Sequence, residues 1–136
     1  METKESGREA ARPLHLQTAF VTLAGENLAV LVEFYQGLLG QAPKPYVPHR
    51  YAEFLLPGLR LALFKPSAGH ALEFTGAAAS MSLCLEVGDL AGAIATLTHL
   101  GYPPPGDIIH ASHGQEIYAY DPAGNRLILH QANPSD

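Results

Sequence analysis

Histidine and glutamate residues in the second half of the chain are of the types that could bind a metal ion or transfer a proton. His110, His113 and Glu116 follow one another at intervals of three, and imidazole and carboxylate groups are common ligands of transition metals. The three residues lie, however, on a loop that leads into a predicted strand, where an interval of three defines no common face. We therefore interpret this set as a polar loop rather than as a metal site.

Glu86 and His130 form a second candidate pair. Each lies near the end of a predicted strand, and the alternation of side chains along a strand places both on one face of a sheet. There they could form a hydrogen-bonded pair or a displaced metal site, whereas the plainer interpretation is a solvated histidine and a carboxylate at a strand end. Cys84 has no neighbour in sequence that would lower the pKa of its thiol, so we predict no nucleophilic role for it.

Composition excludes several classes of protein. The chain has 136 residues, of which 47% are hydrophobic, and this suits one compact domain. Its formal net charge is −5 and it has no basic stripe, which argues against binding to nucleic acid or to a membrane surface. No apolar run resembles a transmembrane span or a secretory signal. Because the single cysteine also excludes an intrachain disulfide, we predict a cytoplasmic protein.

The elements that must position these side chains occur twice in the chain. Asn27 and Asp89 lie 62 residues apart, and each opens a helical pattern that ends at a glycine, Gly40 or Gly101. Each copy then continues through an extended segment, a Pro/Gly turn and a final apolar strand. The pattern predicts two similar halves with the element order β-α-β-β-β, and it places the first strand at residues 16–24.

The same sequence pattern also predicts the domain boundaries. Residues 1–13 are polar and are expected to form a flexible tail. One domain follows over residues 14–131, with halves at about 14–66 and 80–131 and a linker of small residues at 67–79. Residues 132–136 form a C-terminal tail.

Three groups of residues resemble the vicinal oxygen chelate superfamily, which includes glyoxalase I, bleomycin-resistance proteins and extradiol dioxygenases. They are Phe34-Tyr35 with Leu38-Leu39-Gly40, then Val87-Gly88-Asp89-Leu90 with Leu100-Gly101, and finally Asp121-Pro122-Ala123-Gly124-Asn125-Arg126-Leu127. The resemblance covers nearly the whole domain. It implies an α+β fold in which two β-α-β-β-β modules form a cup-shaped curved sheet with helices packed outside. It also implies a homodimer, with the modules paired either within one chain or between two chains.

In metal-using members of the superfamily, side chains from the first and last strand of each module hold a divalent ion in the cup. The resemblance places these four positions at Thr18, or at its neighbour Gln17 if the register shifts by one residue, and at Ala62, Ser82 and Ile128. Alanine and isoleucine have no donor atom, and neutral serine and threonine are poor ligands for transition metals. We therefore expect no cofactor, and a divalent metal is disfavoured.

Strand alternation predicts which side chains line the cup. Aromatic and polar residues share the predicted inner face, as is usual for small-molecule sites. The residues expected to bind a ligand are Phe20, Phe64, Glu86, Tyr118, Tyr120 and His130.

Three functions are compatible with this predicted inner face of the cup. The first is a metal-free protein that binds a small, partly aromatic organic molecule, as drug-sequestering members of the superfamily do. The second is a metal-dependent lyase, isomerase or dioxygenase with a rearranged metal site at His130, Glu86 or His113. The third is a module that binds a partner and whose cup is simply filled by side chains. The sequence leaves the identity of any ligand open.

Overall fold

The computed structural model describes residues 13, 15–74 and 80–134, which form two sheets of four strands with one α-helix packed on each. The first half consists of β1 (Val21–Ala24), α1 (Leu28–Leu39), β2 (Tyr46–Val47), β3 (Tyr51–Leu56) and β4 (Leu59–Phe64). The second half consists of β5 (Leu83–Glu86), α2 (Leu90–Leu100), β6 (Ile109–Ala111), β7 (Gly114–Tyr120) and β8 (Arg126–Ala132). The predicted α+β class and the β-α-β-β-β order of each half are confirmed.

The two sheets have the same topology. The strand order is β1-β4-β3-β2 in the first and β5-β8-β7-β6 in the second. In each sheet the first strand pairs in parallel with the last, and the remaining pairs are antiparallel. The registers also correspond, since Thr22 lies beside Ala62 and Cys84 beside Ile128. Equivalent positions in the two halves can therefore be compared residue by residue.

Both helices begin and end where their capping residues predict. The side-chain oxygens of Asn27 and Asp89 accept hydrogen bonds from the backbone N–H groups of Val30 and Gly92, at 3.3 and 3.0 Å. These bonds satisfy donors that lack a partner within the helix. At the other ends, Gly40 and Gly101 adopt left-handed backbone angles that an L side chain rarely adopts.

One hydrophobic core joins the two halves. It contains buried side chains from both helices and from the helix-facing side of both sheets, for example Leu31, Leu61, Leu97 and Leu129. The helices α1 and α2 contact each other, so the halves meet back to back. The other face of each sheet, which we call the open face, is consequently the side on which a ligand could lie. Neither α-helix of the described residues could cross a membrane.

The structure shortens the first predicted strand from residues 16–24 to Val21–Ala24. The limited length of its partner strand, β4, explains why residues 16–18 do not belong to it. Val21 lies beside Leu61, and β4 begins only at Leu59, so residues before 19 have no strand to pair with.

The predicted linker and tails are described only in part. Within the linker, Ala68–Phe74 forms a 3-10 helix, so this segment is not simply an extended connection, and residues 75–79 lie outside the described residues. Strand β8 runs to Ala132, the first residue of the predicted C-terminal tail, because its last residue pairs with Gly114. The predicted N-terminal tail, apart from Pro13, also lies outside the described residues.

Candidate functional site

The open faces carry the side chains that alternate with the buried ones, as the strand pattern predicts. Tyr118 and Tyr120 are exposed and alternate with the buried Ile117, Ala119 and Asp121, and His130 follows the buried Leu129. All six residues predicted to contact a ligand belong to these faces. The open face of the first sheet includes Phe20, Thr22, Val47, Tyr51, Glu53, Leu55, Arg60, Ala62 and Phe64. That of the second includes Cys84, Glu86, Ile109, Glu116, Tyr118, Tyr120, Arg126, Ile128 and His130.

Three ionisable side chains form a row across the second open face. His130 on β8 pairs with Glu86 on one side and with Glu116 on the other. Nδ1 of His130 lies 2.7 Å from Oε1 of Glu86, while Oε2 of Glu86 accepts a hydrogen bond from the backbone N–H of Ala132 at 3.1 Å. The structure therefore forms the Glu86–His130 pair, which the sequence left open beside the plainer interpretation of a solvated histidine, and two contacts fix the glutamate against β8.

A second imidazole completes this group of side chains. His113 lies in the tight turn between β6 and β7, and its Nδ1 is 2.8 Å from Nε2 of His130. Asn133 holds the turn in place, because its side-chain amide donates to the carbonyl oxygen of Ser112 at 2.9 Å. Donor atoms of His113, Glu116 and His130 all lie within 4.8 Å of one another.

The structure separates the set of His110, His113 and Glu116, which the sequence analysis interprets as a polar loop. His113 and Glu116 converge on His130, whereas His110 pairs with Gln115 in the β6–β7 ladder. Neighbours along a strand point to opposite faces, so His110 lies on the side of the sheet away from Glu116. The sequence interval of three had concealed this grouping, because the turn at residues 111–114 reverses the chain between the residues concerned.

The open face of the first sheet carries a cationic side chain, Arg60, where the second carries histidines and glutamates. The guanidinium of Arg60 lies 4.1 Å from the centre of the Phe20 ring, and its Nε is 3.9 Å from Oε1 of Glu53. This Nε is buried and has no hydrogen-bond partner among the described residues. The hydroxyl of Tyr51 donates to Glu53, and burial and then this carboxylate raise the pKa of the phenol. Sequence reasoning missed Arg60, although its position two residues before Ala62 was a usable signal.

The four superfamily metal positions do not fit a metal in this chain. The equivalence of the registers moves the first of them from Thr18 to Phe20, one residue before β1, as Ser82 is one residue before β5. Arginine occupies the neighbourhood of both: Arg60 covers Phe20, and Nε of Arg126 donates to Oγ of Ser82 at 2.6 Å. Since the remaining positions are Ala62 and Ile128, the site would combine two guanidinium groups with almost no donor atoms.

Cys84 lies on the open face beside the glutamates of the second sheet. Burial, followed by the charges of Glu86 and Glu116, raises the pKa of its thiol. A raised pKa leaves less of the nucleophilic thiolate at neutral pH.

Two cavities, of about 610 and about 480 Å³, lie between the halves. Phe20, Tyr118 and Tyr120 line neither of them, whereas Cys84 and Glu86 of the second open face line the smaller one.

Comparison with known proteins gives structural matches only. No protein-family model and no curated protein sequence matches the chain. A glyoxalase/bleomycin resistance protein from Catenulispora acidiphila superposes with a TM-score of 0.65 and 19% identity, covering 85% of this chain and 97% of that one. Lactoylglutathione lyase from Agrobacterium tumefaciens gives a TM-score of 0.63 and 19% identity, covering 87% and 96%.

A third match is a mutant of the fosfomycin resistance protein FosX from Listeria monocytogenes, in complex with Mn(II) and a dihydroxypropylphosphonic acid. Its TM-score is 0.66 at 15% identity, and the alignment covers 90% of this chain and 94% of that one. At such low identity, and with different activities among the matches, the comparison establishes the fold and not the reaction. The chain has the fold of the glyoxalase, bleomycin-resistance and fosfomycin-resistance proteins, and its resemblance to the vicinal oxygen chelate superfamily is confirmed at that level.

Proposed function

We propose that the protein binds a small, partly aromatic organic molecule on its open faces, without a metal at the four superfamily positions. The observation that carries this proposal is the uncovered aromatic surface. Phe20, Tyr118 and Tyr120 are 42%, 41% and 36% exposed, on the faces that the core leaves free. Aromatic side chains next to a few polar groups are typical of small-molecule sites. Phe64, Glu86 and His130 are the further contacts that we propose.

We propose that the cup forms between two copies of the chain. The halves of one chain share a core and meet through their helices, so the open faces lie on outer surfaces. Strands β1 and β5 are at the edges of their sheets, and each therefore has backbone groups free on one side. Pairing β1 of one copy with β5 of another would bring one open face of each kind together. Sedimentation equilibrium should then give a species of twice the chain mass.

Arg60 indicates the charge of the ligand. Its guanidinium is stacked on Phe20, and its buried Nε lacks a hydrogen-bond acceptor. The Arg60 side chain as a whole is 34% exposed, so a carboxylate or phosphonate on the ligand could pair with its guanidinium. The surrounding aromatic rings would hold the flat part of the same molecule. An aromatic anion therefore fits this surface better than an aromatic cation.

The test uses a matched pair of probes, 2-naphthoate and 2-naphthylmethylamine, titrated into the protein by calorimetry in the presence of a chelator. We expect 2-naphthoate to bind and the amine to bind at least tenfold more weakly. Arg60→Gln should abolish this preference while the protein stays folded by circular dichroism. Failure of both probes to bind, or equal affinity for them, would contradict the proposal.

A metal-dependent lyase, isomerase or dioxygenase is the second candidate function. The group formed by His113, Glu116 and His130 favours it, because these side chains supply the donor atoms that the superfamily positions lack. Stoichiometric metal in protein purified without chelator would support this candidate. The two functions differ in one measurable respect, since only the second requires metal for ligand turnover.

A further inference from the structure

The arrangement of His113, Glu116 and His130 has the dimensions of a transition-metal site. Their donor atoms lie within 4.8 Å of one another, and the two ring nitrogens are 2.8 Å apart. Ligands at about 2.0–2.2 Å from a tetrahedral zinc ion are separated by roughly 3.3–3.6 Å. The observed separations of the donor atoms lie on both sides of this range, so small side-chain movements would bring the three atoms to metal-binding distances. His113 is exposed on a turn and is free to make them.

We propose that these three side chains bind a divalent transition-metal ion of the Zn²⁺ type, with Glu86 as a positioning residue. The site is distinct from the four superfamily positions, since its nearest residue is two positions beyond Ile128 along β8. All of its ligands come from the second half of one chain. It therefore requires neither a second copy nor an organic ligand, and it does not rest on the proposed small-molecule binding.

Glu86 determines which nitrogen of His130 faces the other ligands. Its carboxylate accepts a hydrogen bond from Nδ1–H of His130, and that tautomer leaves a lone pair on Nε2. Nε2 is the atom that faces Nδ1 of His113. Without metal, one proton lies between the two nitrogens, carried either by Nδ1 of His113 or by Nε2 of His130. A metal ion would replace this proton, and a carboxylate behind a ligating histidine is the usual arrangement at such sites.

The donor types select the class of metal. Two imidazoles and one carboxylate suit zinc, iron, nickel or copper, whereas magnesium and calcium prefer sets of oxygen ligands. The side chain of His130 is largely buried, at 12% exposure, while its Nε2 faces the other ligands on the open face. Three protein ligands leave at least one coordination position for water or another molecule.

Metal binding is tested directly, with readouts that need no catalytic activity. Full-length protein is stripped with chelator, dialysed and titrated with Zn²⁺ by calorimetry and with Co²⁺ by visible absorption. We expect one equivalent to bind per chain, with the absorption bands of Co²⁺ in a site of low coordination number. His113→Ala and Glu116→Gln should each weaken binding at least tenfold. Glu86→Gln should weaken it by about 10- to 100-fold, since it alters the orientation of a ligand and not the ligand itself.

The chain contains a matched control for these variants. His70 and Glu73 form an exposed pair in which Nδ1 lies 2.7 Å from Oε2, the same distance as in the His130–Glu86 pair, and neither belongs to the proposed metal site. His70→Ala should therefore leave the affinity for Zn²⁺ unchanged. Thermal unfolding of each variant shows whether a lost signal is due to loss of folding, and His113→Ala, on an exposed turn, is expected to fold.

The proposal is overturned if stripped wild-type protein binds no Zn²⁺ or Co²⁺. It is equally overturned if folded His113→Ala and Glu116→Gln bind as wild type does, or if His70→Ala weakens binding as much as they do. These results leave the small-molecule proposal untouched, because 2-naphthoate binding is measured with chelator present. Conversely, a protein that binds Zn²⁺ but not 2-naphthoate would retain only the metal site.

Discussion

The hydroxyl of Tyr35 donates a hydrogen bond to Oδ2 of Asp121 at 2.8 Å, and both side chains are buried. Tyr35 lies on α1 in the first half, while Asp121 begins the turn between β7 and β8 in the second. The same carboxylate accepts from the backbone N–H groups of Ala123 and Asn125, both at 2.9 Å, and from the Asn125 side chain at 2.8 Å. One buried aspartate therefore closes its own turn and joins the two halves of the chain.

Replacement of Tyr35 by phenylalanine should destabilise the protein. The variant keeps the ring in the core but removes one of the donors to a buried carboxylate, and the expected loss is about 1–3 kcal/mol in the free energy of unfolding. Urea denaturation measures it. Tyr46→Phe is the control, because Tyr46 is exposed on edge strand β2 and its substitution should change stability by less than about 0.5 kcal/mol. Equal stability of the two variants would show that the bond between the halves contributes little.

Stability should also fall at alkaline pH through the same residue. Burial, followed by the charge of Asp121 and the hydrogen bond to it, raises the pKa of Tyr35 well above the ordinary tyrosine value. The unfolded chain therefore loses this proton at lower pH than the folded protein does. The contribution is fully present below about pH 10 and is lost as pH rises from there towards the folded-state pKa. Denaturation curves between pH 8 and 11 should show a steeper decline for wild type than for Tyr35→Phe.

Local signals were sufficient to predict most of the fold. Asn27 and Gly40 mark the ends of α1 because a cap acts on the nearest backbone groups, and the structure places the helix between them. The length of β1 could not be predicted in this way. Residues 16–18 have a strand-like sequence, but whether they form a strand depends on β4, which begins at Leu59, some forty residues away.

The candidate site was predicted only in part, for a related reason. Alternation along single strands correctly placed Glu86, His130 and the tyrosines on one face. The register of the β7–β8 hairpin brings Glu116 beside His130, and this followed in principle from the turn at Asp121. The contact of His113 did not follow, because it depends on the turn between β6 and β7, which Asn133 holds from just beyond the end of β8.

Loss of the Tyr118 side chain should weaken binding of 2-naphthoate. We expect a tenfold increase in the dissociation constant, equivalent to about 1.4 kcal/mol and typical of one lost aromatic contact. Tyr46→Ala is a matched control, because Tyr46 and Tyr118 are both 41% exposed. Tyr46 pairs with Ala52 and therefore lies on the helix-facing side of its sheet. If calorimetry gave the same affinity for 2-naphthoate in both variants, this result would argue against the open face as the binding surface.

Gly114 should be required for the arrangement of the two histidines. Its φ of 151° is one that L side chains rarely adopt, and a Cβ added there would overlap the carbonyl oxygen of Gln131 and lie 3.0 Å from Nε2 of His130. We expect Gly114→Ala to lower the free energy of unfolding by about 1–3 kcal/mol, because β7 must shift away from β8. The shift would also displace Glu116 and His113 from His130, so Zn²⁺ affinity should fall with stability.

Gly106→Ala separates this effect from the general cost of replacing a glycine. A Cβ at Gly106 would meet no atom within 4 Å, and its stability should change by less than about 0.5 kcal/mol. Urea denaturation and Zn²⁺ calorimetry of the two variants form the comparison. If Gly114→Ala kept the wild-type affinity for Zn²⁺ while losing stability, the turn would support the sheet alone, and the ligands could be brought together without the close approach of β7 and β8.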